Sequence, residues 1–258
     1  MKIVIIGSGN VAWHLAKIAK EKSHEIIQLA NFHSTNISSD FDAFNIPYIY
    51  DIKELSIEAD LYIIAIKDSK IDSLQIPFTH LNKLFIHTSG IASIDVLSKY
   101  SVNHACLYPL QTLTKGIATD FSKIPILVEA SNEETNSIAL EFASTLSYSI
   151  HSYSLEQRRK LHLNAVVVNN FTNHLFHLAQ LSLKENQLDF NLLLPLIQET
   201  IRKLNDSSAY ENQTGPARRY DLSTINLHEG LLDKEELLLE IYRLISKSII
   251  DTYHPKDN

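Results

Sequence analysis

Cysteine is nearly absent from this chain of 258 residues: there is one, Cys106. A single thiol cannot close an internal disulfide, which excludes a disulfide-stapled scaffold and fits a reducing, cytoplasmic compartment. Cys106 stands in the apolar stretch Ala105-Cys106-Leu107 and reads as a small buried hydrophobe rather than a nucleophile. Positive charge is also scarce. With 23 Lys and Arg against 30 Asp and Glu, the net charge is -7. That balance excludes a nucleic acid or an anionic membrane surface as the main partner, since both need clustered Lys and Arg. It does not exclude a small anionic ligand, which backbone N–H groups can hold. No apolar run approaches the roughly 18 residues of a membrane span. The apolar start from Met1 to Ile6 is cut short by Gly7-Ser8-Gly9-Asn10, so it reads as a buried first strand rather than a secretory leader. Repeats and low-complexity stretches are missing. So are a G-x-S-x-G nucleophile motif and a P-loop lysine after the glycines. The histidines are scattered, and His174 with His177 has helical spacing but no third ligand nearby in sequence, so no metal site is expected.

What is present is an alternation of short β-branched runs with helical segments. Ile3 to Ile6 is continuously apolar, as a strand covered on both faces must be. Val11 to Lys22 has helical spacing. Further strands are expected at Glu25 to Ala30, Pro47 to Tyr50, Leu61 to Ile66, Leu84 to His87, Ala105 to Leu107 and Ile126 to Glu129. Such alternation implies parallel pairing through right-handed crossovers. The character changes near residue 150. Beyond it the chain is poor in Gly and Pro, with helices expected at Leu155 to Lys184, Phe190 to Asn205 and Lys234 to Thr252, and a loop at Asn212-Gln213-Thr214-Gly215-Pro216. The expectation is therefore an α/β domain at 1–152, with a doubly wound, mainly parallel sheet, followed by an all-helical domain at 153–258.

Gly7-Ser8-Gly9-Asn10-Val11-Ala12 follows a strand and opens a helix, the context that gives a dinucleotide fingerprint its meaning. Gly7 permits the tight turn, Gly9 lets the backbone approach a pyrophosphate, and Ala12 allows close packing of helix on strand. The helix N-terminus offers free N–H groups to the phosphates. The end of the second strand reads Ala30-Asn31-Phe32-His33-Ser34-Thr35. It has no acid for a ribose 2′-hydroxyl, and no Arg or Lys for a 2′-phosphate. Asn31, His33 and Ser34 are left as hydrogen-bonding groups, which tilts the expected cofactor to NADP, with NAD as the alternative. Ligands in such folds sit at the carboxyl ends of the strands. That brings in Ile66 and Lys67 after the fourth strand, and Thr88, Ser89 and Gly90 after the fifth. The competing reading of these loops is turn and capping chemistry alone.

Several stretches together resemble one bacterial family. They are IIGSGNVAWHLA at 5–16, ADLYIIAIKDSKI at 59–71, FIHTSG at 85–90, YPLQTL at 108–113, LHLNAVVVNNF at 161–171 and QTGPARRYD at 213–221. The family joins a Rossmann-like domain to a helical C-terminal domain of unknown function, number 2520 in that series, and its members are provisionally labelled NADP- or coenzyme-F420-dependent oxidoreductases. The resemblance implies the two-domain fold of the β-hydroxyacid dehydrogenases and pyrroline-carboxylate reductases, with a helical domain like that of 6-phosphogluconate dehydrogenase. In those proteins the helical domain often carries the dimer interface, and here a homodimer through it is expected. The family pattern points to His162 and Asn169 as catalytic residues. The related dehydrogenases use a Lys and an Asn one helical turn apart, a spacing that Lys160 and Asn164 also have. Both assignments cannot hold.

Read as residues, His162 and Asn169 are seven apart and share a face of a regular helix. A histidine can exchange a proton with a carbonyl or hydroxyl, and Asn169 could orient the substrate. The plain alternative is a polar helix stripe satisfied by water. Gln111 and Thr112 follow a strand on the cofactor side and are candidate substrate contacts. Arg219 is a candidate clamp for a carboxylate or phosphate, or else a partner of Asp221. Taken together, the expected activity is NAD(P)-dependent hydride transfer to or from a small carbonyl, imine or hydroxyl compound. The competing reading is a non-catalytic NADP-binding sensor or partner-binding protein.

Overall fold

The structure, a computed structural model, describes residues 1–32, 39–79 and 81–255. The chain divides into two compact units, Met1–Asn169 and Asn170–Asn258. Among the described residues, the first is built on eight strands: β1 (Lys2–Ile6), β2 (Glu25–Ala30), β3 (Tyr48–Ile49), β4 (Leu61–Ile64), β5 (Leu84–His87), β6 (His104–Pro109), β7 (Ile126–Ala130) and β8 (Ile150–Ser152). Their spatial order is β3-β2-β1-β4-β5-β6-β7-β8. Pairing is parallel from β3 through to β6, and the order reverses beside β1, which is the doubly wound Rossmann arrangement. β7 returns antiparallel to β6. Between them lies only a short 3-10 turn, Phe121–Lys123, in place of a crossover helix, so a parallel return is not built. β8 then pairs parallel to β7 at the edge. The residues Ile150-His151-Ser152 lack an apolar run, which is why the strand is not legible in the sequence.

Burial alternates along the central strands. Ile3 and Ile5 of β1 face one core with Leu61, Ile63 and Ile86, while Val4 and Ile6 face a second with Tyr62, Ile64 and Phe85. The first core is closed by the helices α1 (Asn10–Glu21) and α3 (Glu133–Leu146). The other face stacks Tyr62 on Phe85, ring centroids 4.5 Å apart. Between α1 and α3 in the chain, α2 (Asp68–Ile71) is a single turn after β4.

After β8 comes α4 (Leu155–Ala165), opened by a capping box between Ser154 and Gln157. Its Arg158 is fully buried. The guanidinium donates to Ser89 O at 2.7 Å, Ala92 O at 2.9 Å and Glu129 Oε2 at 2.7 Å. Glu129 Oε1 also accepts from the Leu155 N–H. These bonds tie α4 to the loop after β5 and to β7, so the first unit runs on through this helix. The helix then passes, unbroken, through a π-helical turn at Val166–Phe171 into α5 (Thr172–Glu185). The sequence shows one helix here; the π turn, among three consecutive valines, is visible only in the structure.

The second unit continues with α6 (Leu194–Lys203, Pro195 in its first turn), α7 (Ala209–Asn212), α8 (Leu222–Leu231) and α9 (Glu236–Tyr253). Among its described residues only Ala217, Ile225 and Ser246 are buried. No helix among the described residues is long and apolar enough to cross a membrane.

Two outcomes follow from this core. Breaking a buried ion pair from one side leaves the other charge uncompensated, so Glu129→Ala should destabilise the protein by about 3 kcal/mol, read by denaturant unfolding. His87, at the end of β5, is fully buried, and burial, reinforced by the Arg158 charge, holds its imidazole down at about 3. The unfolded chain then binds one proton more than the folded one between pH 6.5 and 3. Stability is flat above pH 6.5 from this group and falls as the pH drops below it, by on the order of 3 kcal/mol at pH 4. Melting curves of wild type and His87→Gln between pH 7 and 4 should converge as the pH falls.

Candidate functional site

Gly7 ends β1 with φ of +121°, and a Cβ there would lie 2.2 Å from the Ala65 carbonyl oxygen. Only glycine can make this turn, because the chain leaves β1 against the end of β4. Gly9 is the residue before α1, and no side chain caps that helix or places an acid in its first turn. Its first N–H groups are therefore open donors at the positive end of the helix dipole. A Cβ on Gly9 would meet no protein atom within 4 Å. The turn opens onto a cavity of about 500 Å3, lined by Gly7, Ser8, Gly9, Asn10, Val11, Asn31, Ala65, Ile66, Lys67, Asp68, Lys70 and Thr88. This volume suits a bound small molecule.

The walls are held by side chains of the site itself. Asn31 Nδ2 donates to Ser8 Oγ at 2.7 Å, which fixes the glycine turn to the end of β2. Asn10 Oδ1 accepts from the Lys115 N–H. The structure thus brings together nine residues singled out in the sequence: Gly7, Ser8, Gly9, Asn10, Val11, Asn31, Ile66, Lys67 and Thr88. His33 and Ser34 lie outside the described residues. Ser89 is buried and internally committed: its Oγ accepts from the N–H groups of Ile91 and Ala92, and its carbonyl from Arg158. It shapes the loop.

Gly90 has a different neighbour. A Cβ there would stand 2.6 Å from His162 Nδ1 and 3.0 Å from the Tyr108 ring. His162 Nδ1 in turn lies 2.9 Å from Tyr108 Oη, the rings meeting edge to face at 5.7 Å. So β5, β6 and α4 converge at the carboxyl edge of the sheet, two residues from the cavity wall at Thr88. Tyr108 was not among the residues singled out in the sequence; it stands at the head of the YPLQTL stretch, and its partner is 54 positions away. Burial, then the charge of Asp68, raises the Tyr108 phenol above its ordinary range, so it stays protonated at neutral pH. Burial likewise pushes the Cys106 thiol up to about 12, and its Sγ donates to the Ser89 carbonyl.

Lys160 pairs with Glu156 at 2.6 Å on the exposed face of α4, and Asn164 donates back to the Lys160 carbonyl. Their dehydrogenase-like spacing is used here within the helix itself. Asn169 is exposed within the π turn, whose i→i+5 bonding breaks the regular seven-residue register with His162. Gln111 and Thr112 are exposed, and Gln111 Oε1 accepts from the Thr112 N–H. In the second unit Arg219 is exposed. Asp221 caps α8 by accepting from Thr224 and Ser223, bonds that, with Thr224 foremost, hold its carboxyl down at about 2. Among the described residues no three His, Cys, Asp or Glu stand together to hold a metal.

The profile of a domain of unknown function, DUF2520, matches residues 124–249. No curated protein is significantly similar in sequence. Among solved structures, a Bacteroides fragilis protein provisionally named an NADP oxidoreductase is 35% identical, with 97% of this chain and 98% of that one aligned at a TM-score of 0.88. A reductive aminase from Aspergillus terreus, in complex with NADPH and ethyl levulinate, shares the fold at 13% identity and a TM-score of 0.70, over 99% of this chain and 96% of that one. So does a 1-pyrroline-5-carboxylate reductase from Streptococcus pyogenes, at 18% identity and a TM-score of 0.61, over 98% of each chain. At 35% identity over nearly the whole of both chains, the protein belongs to the same Rossmann-fold family as the B. fragilis protein, and its DUF2520 segment runs from β7 and α3 into the helical half.

Proposed function

We propose that the protein is an NADP-dependent oxidoreductase acting on a small carbonyl, imine or hydroxyl compound. The observation that carries this is the uncapped start of α1 behind Gly7 and Gly9, opening onto a cavity of about 500 Å3. The cofactor's pyrophosphate would lie on the N–H groups of that helix, as an anion does at an open helix N-terminus. Lys67 and Lys70 add positive charge to the wall. Asn31, uncharged, offers no repulsion to a 2′-phosphate, and the relative of 35% identity carries NADP in its name. His162, held at Gly90, is the acid or base; Asn169, Gln111, Thr112 and Arg219 are proposed to meet the substrate. A bound nicotinamide supplies or accepts the hydride. The chain's own residues seat it and move the proton.

The second unit leaves many of its leucines exposed. Leu181, Leu192, Leu196, Leu231, Leu237 and Leu244 are all exposed, and exposed apolar surface of this kind marks an interaction face. A second copy of the chain is proposed to cover them. The single, buried Cys106 needs no oxidising environment, in keeping with a cytoplasmic protein.

Titration should show NADPH binding at least about 10-fold tighter than NADH, that is by about 1.4 kcal/mol. Gly9→Asp, whose Cβ has open space in the protein, should leave the melting curve unchanged and weaken NADPH by about 100-fold through charge repulsion. Absence of binding by all four nicotinamide dinucleotides at millimolar concentration would overturn the proposal. His162→Ala should slow NADPH consumption by about 100-fold on any carbonyl or imine that wild type reduces. Light scattering should give twice the chain mass of 29.3 kDa, and Leu196→Lys with Leu244→Lys should shift the protein to monomer.

A further inference from the structure

The Tyr108–His162 contact decides which imidazole nitrogen is free to act. We propose that Tyr108 is a positioning residue: its phenol oxygen accepts the Nδ1–H of His162 and leaves Nε2 as the nitrogen that exchanges the proton with substrate. This rests on the reading of His162 as acid or base, and adds which tautomer it uses and what selects it.

Three observations converge. The Oη to Nδ1 distance of 2.9 Å is a full hydrogen bond. The edge-to-face packing at 5.7 Å fixes the plane of the imidazole. Gly90 closes the third side, where any side chain would strike Nδ1 at 2.6 Å. A histidine that both gives and takes a proton at one nitrogen needs an acceptor for the hydrogen that stays on the other. Tyr108 Oη supplies it. The reverse arrangement, with the phenol donating to Nδ1, would leave Nε2 protonated in the neutral ring and unable to act as a base. In the reducing direction Nε2 of the imidazolium would give its proton to the substrate oxygen or nitrogen, the hydride for the new C–H bond being what a bound reduced nicotinamide would supply. The ring is left neutral, with its proton on Nδ1 against Tyr108, and recovers the other proton from solvent. In the oxidising direction the Nε2 lone pair would take the proton from the hydroxyl, and the hydride lost from carbon would pass to the oxidised nicotinamide.

The charged groups around the pair come from several elements. Asp68 of α2 and Arg158 of α4 act on Tyr108 in opposite senses. Glu129 of β7 neutralises Arg158, and Arg159 of α4 donates to the Ile91 carbonyl. The buried guanidinium with its three acceptors keeps α4 at a fixed height over Gly90.

The test is long-range proton–nitrogen spectroscopy of the full chain labelled with 15N-histidine, with His162 assigned from its loss in His162→Ala. In wild type the neutral His162 ring should carry its proton on Nδ1. In Tyr108→Phe the ring should move to the Nε2–H form and its titration midpoint should shift, with the other histidine signals and NADPH affinity unchanged. Gly90→Ala, which must push the ring off Tyr108, should give the same change and covers the case in which Tyr108→Phe fails to fold. On any substrate found, Tyr108→Phe should lower kcat by about 100-fold and move its pH profile. A wild-type Nε2–H ring, or a tautomer and midpoint indifferent to both variants, would overturn the proposal. Loss of the NADPH reading with the tautomer as stated would sink the cofactor assignment and leave the pair standing.

Discussion

One buried cation organises the part of the first unit around Gly90 and His162. Arg158 has no access to water, yet its guanidinium is held by a carboxylate and two backbone carbonyls. Desolvating that charge is tolerable only because Glu129 approaches to 2.7 Å and the carbonyls take further donors. The geometry demanded by those acceptors draws α4, the loop after β5 and β7 to one point. Both carbonyls belong to the loop that carries Gly90, and His162 lies one turn further along the same helix. The position of the imidazole is thus set by a charge that cannot move without being stranded. The same charge helps to keep His87 neutral.

Close approach is the second constraint. Gly7 and Gly90 stand where a side chain would collide, the first with the backbone at Ala65 and the second with the His162 ring. At Gly7 the absence of a Cβ lets β1 and β4 run side by side up to the turn. At Gly90 it lets a helix bring a histidine onto the edge of the sheet. Gly9 is different in kind: the space beside it is empty of protein. Gly7 and Gly90 are required by the protein's own packing, while Gly9 leaves open space beside the cavity.

The second unit is held together differently. Its helices expose many leucines and, among the described residues, bury only Ile225 and Ser246. The marginal economics of folding do not favour a separate 89-residue helical unit with so little core (Asn170–Asn258). Its exposed leucines are the surface that a second copy is proposed to cover, whereas the first unit has a buried core on both faces of its sheet.

How much was legible depended on how local the signal was. The runs Ile3 to Ile6 and Leu84 to His87 announce buried strands, because a strand covered on both faces must be apolar throughout. Gly7 to Ala12 announces a phosphate turn, because strand, glycines and helix are contiguous. The sequence by itself determined the Rossmann sheet, the helical second half and nine of the cavity residues. It could not show that β7 turns back antiparallel, that β8 exists, or that a π turn interrupts the register between His162 and Asn169, since none of these has an apolar period of its own. Nor could it single out Tyr108 or Arg158. Each acquires its meaning from partners dozens of residues away, Tyr108 from His162 and Arg158 from Ser89, Ala92 and Glu129. A hydrogen bond or a buried charge is a relation between positions that only the folded chain brings within 3 Å, and that is what the tertiary structure decided.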